Sequence, residues 1–378
     1  MKHLLLPLAG LLTATLLHAM PVTPTDDAQV LLRLDGDAGP RATVRQWRQQ
    51  LRQNPLDRAT ALRLAQHGLH EARRLGDARP AGQALAALAP FGDDPPVEVA
   101  VLRATLLQHL HRFDEAIALL KASPTRPPLP PQGWLLLASI HRTQGRLAES
   151  DRACDGLAAS GARFHASACR LENQGLRQPS QGLARWETLI GTPGLDAPTQ
   201  AWLWASKGEQ QWRAGQVHAA EASLRRALSL NDEPHTRVLL ADLLAEQTTR
   251  LREALDLLLP LALSDAVLVR LTHWGERLAH PRTADWRNEL QARQTQADER
   301  QVLGLAPTHG REQAWWWLTR DPARALALAE RNAQTQREPI DLLIWARAAQ
   351  AAGQPQALRH ALQTAARLEI RDARMPAL

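Results

Sequence analysis

The chain has 378 residues, 44% of them hydrophobic, and a formal net charge of +6. Tyr is absent and the apolar residues are mostly Leu and Ala, strong helix formers, which removes most of the β-strand vocabulary and points to an all-α fold. The densest basic stretch, Arg41 to Arg79, is broken by Asp57, Glu71 and Asp77. It lacks the clustered Lys/Arg with interleaved aromatics of a nucleic-acid groove, so nucleic acid is not expected as a partner.

Residues 1–19 read as a secretory signal peptide. Lys2 gives the positive start, residues 4–17 form an apolar run too short to span a bilayer comfortably, and Ala19 is a small residue at a plausible cleavage point. The alternatives are an uncleaved anchor or a buried first helix. No Cys lies near the cut, so no lipid anchor is expected, and no transmembrane span is expected in the mature chain. Residues 20–56 follow as an N-terminal segment. In it, Val44, Trp47 and Leu51 sit at helical spacing and predict a capping helix over residues 41–53.

From residue 57 the pattern becomes one of helical hairpins. Residues 62–89 predict a pair turning at Gly76-Asp77, and Ala104, Leu107, Phe113, Ala116 and Leu120 mark the next. Residues 123–131 hold five prolines and read as a loop between repeats; the other reading is an extended ligand for a proline-recognition module. Trp134, Leu137, Ala138, Gly145, Leu147, Ser150 and Cys154 form a further hairpin, and residues 165–190 another, turning near residues 175–180. Residues 204–227 and 235–263 follow. Residues 266–296 are more degenerate, with Asn288 where a small residue is expected, and packing is predicted to distort there. Residues 311–333 turn at Asp321-Pro322, and Trp345, Ala346, Gly353, Leu358, Leu362 and Ala365 close the series. The divisions are residues 57–264 for regular hairpins, 265–305 for the degenerate one, and 306–378 for the C-terminal hairpins and cap.

These hairpins share a ladder. Gly82, Ala116, Ser150 and Ala184 are 34 residues apart, Ala220 and Ala254 continue after one longer step, and Ala325 and Leu358 close it. A fixed period of this length marks a helix–turn–helix array. In residues 204–227, Trp204, Gly208, Gly215, Val217, Ala220, Leu224 and Ala227 stand at the offsets of the tetratricopeptide pattern, while Lys207 and Gln211 depart from it. The chain therefore resembles the tetratricopeptide repeat superfamily. The resemblance implies a right-handed α-α superhelix, a solenoid of about nine helical hairpins.

The resemblance also implies a concave side lined by the first helix of each hairpin. Carried onto this chain, the partner groove is His67, Glu71 and Arg74, then Thr105 and Gln108, then Ser139 and Arg142. It continues through Asn173, Glu209, Trp212, Leu243 and Glu246 to Arg347. The set is polar and of both signs, suited to a protein or peptide segment; a merely solvated face is the other reading.

Cys154 and Cys169 are the sole cysteines. They fall on adjacent antiparallel helices about equally far from the turn near Gly161. In an oxidising compartment that predicts a structural disulfide, the alternative being two separately buried thiols. His67, His70 and Glu71 do not match a zinc-protease order, and His109 and His111 diverge by about 200° on a helix, so no metal is expected. No nucleophile elbow or phosphate loop occurs, and no catalytic residue or cofactor is predicted. Three consecutive indoles, Trp315, Trp316 and Trp317, spread over about 200° of a helix and cannot all face one core. The expectation is a periplasmic interaction scaffold or adaptor binding a protein partner in the cell envelope. The alternative is an accessory subunit or enzyme acting on envelope polymer.

Overall fold

The computed structural model describes residues 40–121, 128–302 and 310–377. The predicted signal peptide and most of the proline-rich stretch lie outside the described residues. The chain divides into two units, Met1–Gln46 and Trp47–Leu378. Of the first, the described part is the opening of α1 (Pro40–Gln53).

The second unit is helical throughout its described residues, and consecutive helices pack in pairs. α2 (Arg58–Leu75) lies on α3 (Ala78–Leu88), α4 (Val97–His109) on α5 (Phe113–Leu120), and α6 (Pro131–Thr143) on α7 (Leu147–Ala159). α8 (Arg163–Arg177) meets α9 (Leu183–Ile190), α10 (Ala197–Arg213) meets α11 (Val217–Leu230), and α12 (Pro234–Ala245) meets α13 (Leu251–Leu258). α14 (Asp265–Leu278) pairs with α15 (Thr283–Val302), α16 (Gly310–Trp317) with α17 (Pro322–Asn332), and α18 (Pro339–Ala351) with α19 (Pro355–Arg367). The nineteen α-helices of the described residues are roughly double the number of hairpins expected, a hairpin being two helices.

Local chemistry sets these boundaries. Asp57, Asp196, Ser264 and Asp321 each cap a helix by accepting a backbone N–H two or three residues inside it, satisfying a donor that the first turn leaves orphaned. Pro opens α12, α17, α18 and α19, where its missing N–H costs nothing. Between α10 and α11, Gly215 turns with φ +76°. Its N–H donates to the Trp212 carbonyl (2.9 Å), and the Gln216 N–H donates to that of Gln211 (2.9 Å). His111 occupies the same place between α4 and α5 with φ +58°, an uncommon conformation for a side chain with a Cβ.

The degenerate hairpin solves its packing differently. Asn288 is exposed on α15, and the contact is made by Trp286 and Leu290, both buried. The small residue sits on the opposite helix: a Cβ on Gly275 would stand 3.1 Å from the Trp286 ring and 2.7 Å from Thr283 Oγ1. A large–small exchange across the pair thus replaces the small rung.

The first helices of successive pairs pack on one another from α2 to α12 and again from α14 to α18. The chain then returns on itself. The Arg337 N–H donates to the Thr143 carbonyl (2.7 Å), that of Arg371 to Leu176 (2.9 Å), and that of Ala373 to Arg213 (2.9 Å). The accepting carbonyls end α6, α8 and α10, the electronegative ends of three consecutive first helices. Side-chain bonds accompany them between residues 192 to 195 apart, among them Arg177 to Glu369 and Thr143 to Glu338.

Cys154 and Cys169 are joined by a disulfide linking α7 and α8, their Cα atoms 5.8 Å apart. Among the described residues no helix is long and apolar enough to cross a membrane.

Candidate functional site

The row of first helices carries a row of polar contacts. Gln108 on α4 donates to Ser139 on α6 (3.0 Å), and Arg142 on α6 pairs with Glu172 on α8 (2.7 Å). Ser206 on α10 donates to Glu172 (3.1 Å), and the Trp212 indole N–H donates to Glu246, the residue capping α12 (3.1 Å). Asp242 on α12 meets Arg270 on α14 through both guanidinium arms, 2.6 Å each. Arg311 on α16 reaches Asp341 on α18 (2.7 Å) and Glu338 just before it (2.6 Å). Each repeat offers one or two polar side chains at a common register, so neighbouring helices are bridged at nearly the repeat spacing.

Most of these side chains, though not Gln108, Glu246 or Asp341, converge on a cavity of about 290 Å³ lined from α6, α8, α10, α12, α14, α16 and α18 and by Arg374 of the C-terminal segment. Its wall is charged and nearly balanced, and its arginines are paired. Burial works against ionisation of Arg311, but Asp341 and Glu338 hold its pKa well above the ordinary value. Burial raises Glu338 too, yet Arg311 outweighs it and the carboxyl lies below the usual range. Asp341 is pushed upward, burial prevailing over Arg311 with the Glu338 charge adding to the rise. Asp341 is fully enclosed: besides Arg311 it accepts Asn332 Nδ2 (2.9 Å) and the Glu338 backbone N–H (2.9 Å).

Of the predicted groove residues, Ser139, Arg142, Glu209 and Trp212 line this cavity. Gln108 lines a second, more open one of about 360 Å³ with Thr143 and Glu338. Glu246 accepts from Trp212 and lies 3.6 Å from Arg347. His67, Glu71, Arg74 and Thr105 lie elsewhere. His67 meets the Trp47 ring edge-on, Glu71 and Arg74 pair on their own helix (2.8 Å), and Thr105 Oγ1 bonds its own helix at the Val101 carbonyl (2.8 Å).

Two assignments are corrected. Asn173 is fully buried between α7 and α8, where it donates to Ser150 Oγ (3.0 Å) and Asp151 (2.8 Å) and accepts from Arg142 (3.3 Å). Leu243 is fully buried in the apolar core. In both helices the preceding residue, Glu172 or Asp242, faces the cavity. One residue is about 100° of helix, enough to carry a side chain from groove to core. The register shared by Ser139, Glu172 and Ser206 is the signal that marks the cavity-lining face. Trp212 lines the cavity but is 4% exposed, because Arg374 covers its ring at 4.0 Å.

Arg270, Arg311, Glu338 and Arg374 are further cavity residues that the repeat frame did not nominate. Arg270 also stacks on Trp315 at 4.3 Å, so one of the three consecutive indoles supports the wall from behind. Trp316 is buried in the core under Arg320 (3.5 Å), and Trp317 is half-buried under Arg324 (4.1 Å). Among the described residues no group of three His, Cys, Asp or Glu is arranged to hold a metal ion.

No protein-family model matches the chain, and no curated protein matches it.

Proposed function

We propose that this chain is an exported, tetratricopeptide-like scaffold or adaptor, a right-handed superhelix whose inner row of helices holds a segment of another cell-envelope protein. The carrying observation is the convergence of polar side chains from seven successive helical pairs on one cavity. Alternating charges of both signs on a rigid wall suit side-chain and backbone hydrogen bonding to a peptide, and rigid elements hold such groups without ordering cost. The Cys154–Cys169 disulfide fits an oxidising compartment such as the periplasm.

The alternative, an enzyme or accessory subunit acting on envelope polymer, draws on the Glu338 and Asp341 carboxyls, whose pKa values are driven apart as in acid–base pairs. Asp341 is sealed from the cavity and spent on capping α18, which favours the scaffold.

The test is photo-crosslinking in cells. A crosslinking residue at His235, exposed at the cavity mouth, is expected to trap a discrete partner, whereas one at Arg252, exposed on α13, is not. Equal trapping from both positions, or none from His235, refutes the groove assignment.

A further inference from the structure

The segment after Ile370 does more than end the chain. Its Arg371 and Ala373 N–H groups dock on the carbonyls that end α8 and α10, which sets Arg374 over the face of Trp212 at 4.0 Å. Asp372, fully enclosed, accepts the Arg374 Nε (2.8 Å) and a second guanidinium nitrogen. Glu246, bonded to the Trp212 indole N–H, and Glu209, one turn before Trp212, act electrostatically on the same guanidinium. A ring face with carboxylates at its rim is the arrangement that recognises a planar, delocalised cation, and it favours Arg over the compact Lys ammonium.

The charges of the wall point the same way. With Arg374 taken out, the cavity lining keeps five carboxylates against four guanidinium groups; of the slot's own carboxylates, Glu209 is shared with Arg213 (2.9 Å) and Glu246 lies 3.6 Å from Arg347. Trp212, Glu209 and Glu246 are built into α10 and the end of α12, whereas Arg374 rides on an irregular segment tethered there by two backbone bonds.

We propose that Trp212, Glu209 and Glu246 form a guanidinium slot, filled in cis by Arg374 and open to an arginine side chain of a bound protein segment when the tail swings aside. This rests on the scaffold reading and names the chemistry of the partner. It also makes the tail a competitor that a correct partner displaces.

The test uses the full chain and its Arg374→Ala variant, titrated calorimetrically with a blocked peptide copying residues 370–377 and with forms in which its arginine 374 equivalent is Lys or Ala. The variant is expected to bind the Arg peptide about tenfold more tightly than the wild type, with the Lys form weaker and the Ala form weaker by about tenfold. Equal affinity of wild type and variant, or equal binding of the Arg and Ala forms, overturns the slot. If Arg374→Ala lowers the helical circular dichroism, hydrogen exchange on the wild-type chain decides: saturating Arg peptide must speed exchange at the Arg371 and Ala373 amides, and unchanged exchange overturns the proposal. Arginine selectivity without trapping at His235 refutes the scaffold alone. Trapping at His235 without arginine selectivity refutes the slot alone.

Discussion

Asp242 and Arg270 face each other across α12 and α14 with two contacts of 2.6 Å, and the guanidinium is only 6% exposed. This pair links α12 to α14, between the two stretches of first-helix packing. Removing the carboxylate strands a buried cation beside Trp315. Asp242→Ala is expected to cost about 3–5 kcal/mol, while pairing it with Arg270→Met recovers much of the loss. Urea denaturation of the single and double variants checks this, and equal midpoints for the two refute it.

The disulfide spans 15 residues of sequence between α7 and α8. Closing such a loop contributes about 3 kcal/mol in the chain-entropy estimate. Replacing Cys154 and Cys169 together with Ser is expected to lower the melting temperature while leaving the helical circular dichroism at 20 °C, about room temperature, unchanged. An unshifted melting curve contradicts this.

Trp286 is 1% exposed, packed over Gly275 and stacked on His280 at 4.7 Å. Trp286→Ala opens a cavity that α14 cannot fill, at a cost of about 3–5 kcal/mol. Asn288→Ala, on the exposed face, is expected to stay within about 0.5 kcal/mol of the wild type. Denaturant midpoints of the two variants test the contrast directly.

Much of the architecture was legible because repeat packing imposes composition. Gly208 is small because Leu224 and Ala220 press on it, and Gly215 must turn with positive φ. The cavity was legible where helix register is periodic, at Ser139, Arg142, Glu209 and Trp212. Asn173 and Leu243 are buried while Glu172 and Asp242 line the cavity, because a 34-residue period alone does not fix rotation to within one residue. Arg374 had no signal at all. It belongs to no rung, and what brings it to Trp212 is the return of the chain, a long-range relation that local periodicity does not encode. Trp286 was hidden for a related reason: the small partner lies on the other helix of the pair.

His141 and His273 both titrate below the ordinary histidine range. Burial is the larger cause in each, reinforced by Arg146 for His141 and by Arg320 for His273. With the folded pKa depressed, the unfolded chain takes up protons first. Stability is therefore full above about pH 6.5 and falls as the pH drops below it, by at most about 1.4 kcal/mol per group for each pH unit. Melting temperatures at pH 7.5 and 5.5 measure the loss (the two values bracket about 6.5). His273→Gln is expected to flatten the dependence, and an unchanged slope argues against this origin.

In an ordinary repeat array each unit touches only its neighbours, so stability is a sum of local terms and the ends fray independently. The bonds from Arg337, Arg371 and Ala373 to the ends of α6, α8 and α10 break that rule. They tie the last helical pair to repeats near the middle of the sequence, so α18 and α19 cannot melt without releasing contacts four to six helical pairs upstream. The array should thus lose its ability to unzip from the C-terminus and unfold as a more cooperative block. The same long sequence separation raises the contact order and slows the final folding step, because the middle repeats must be in place before the end has anything to close upon.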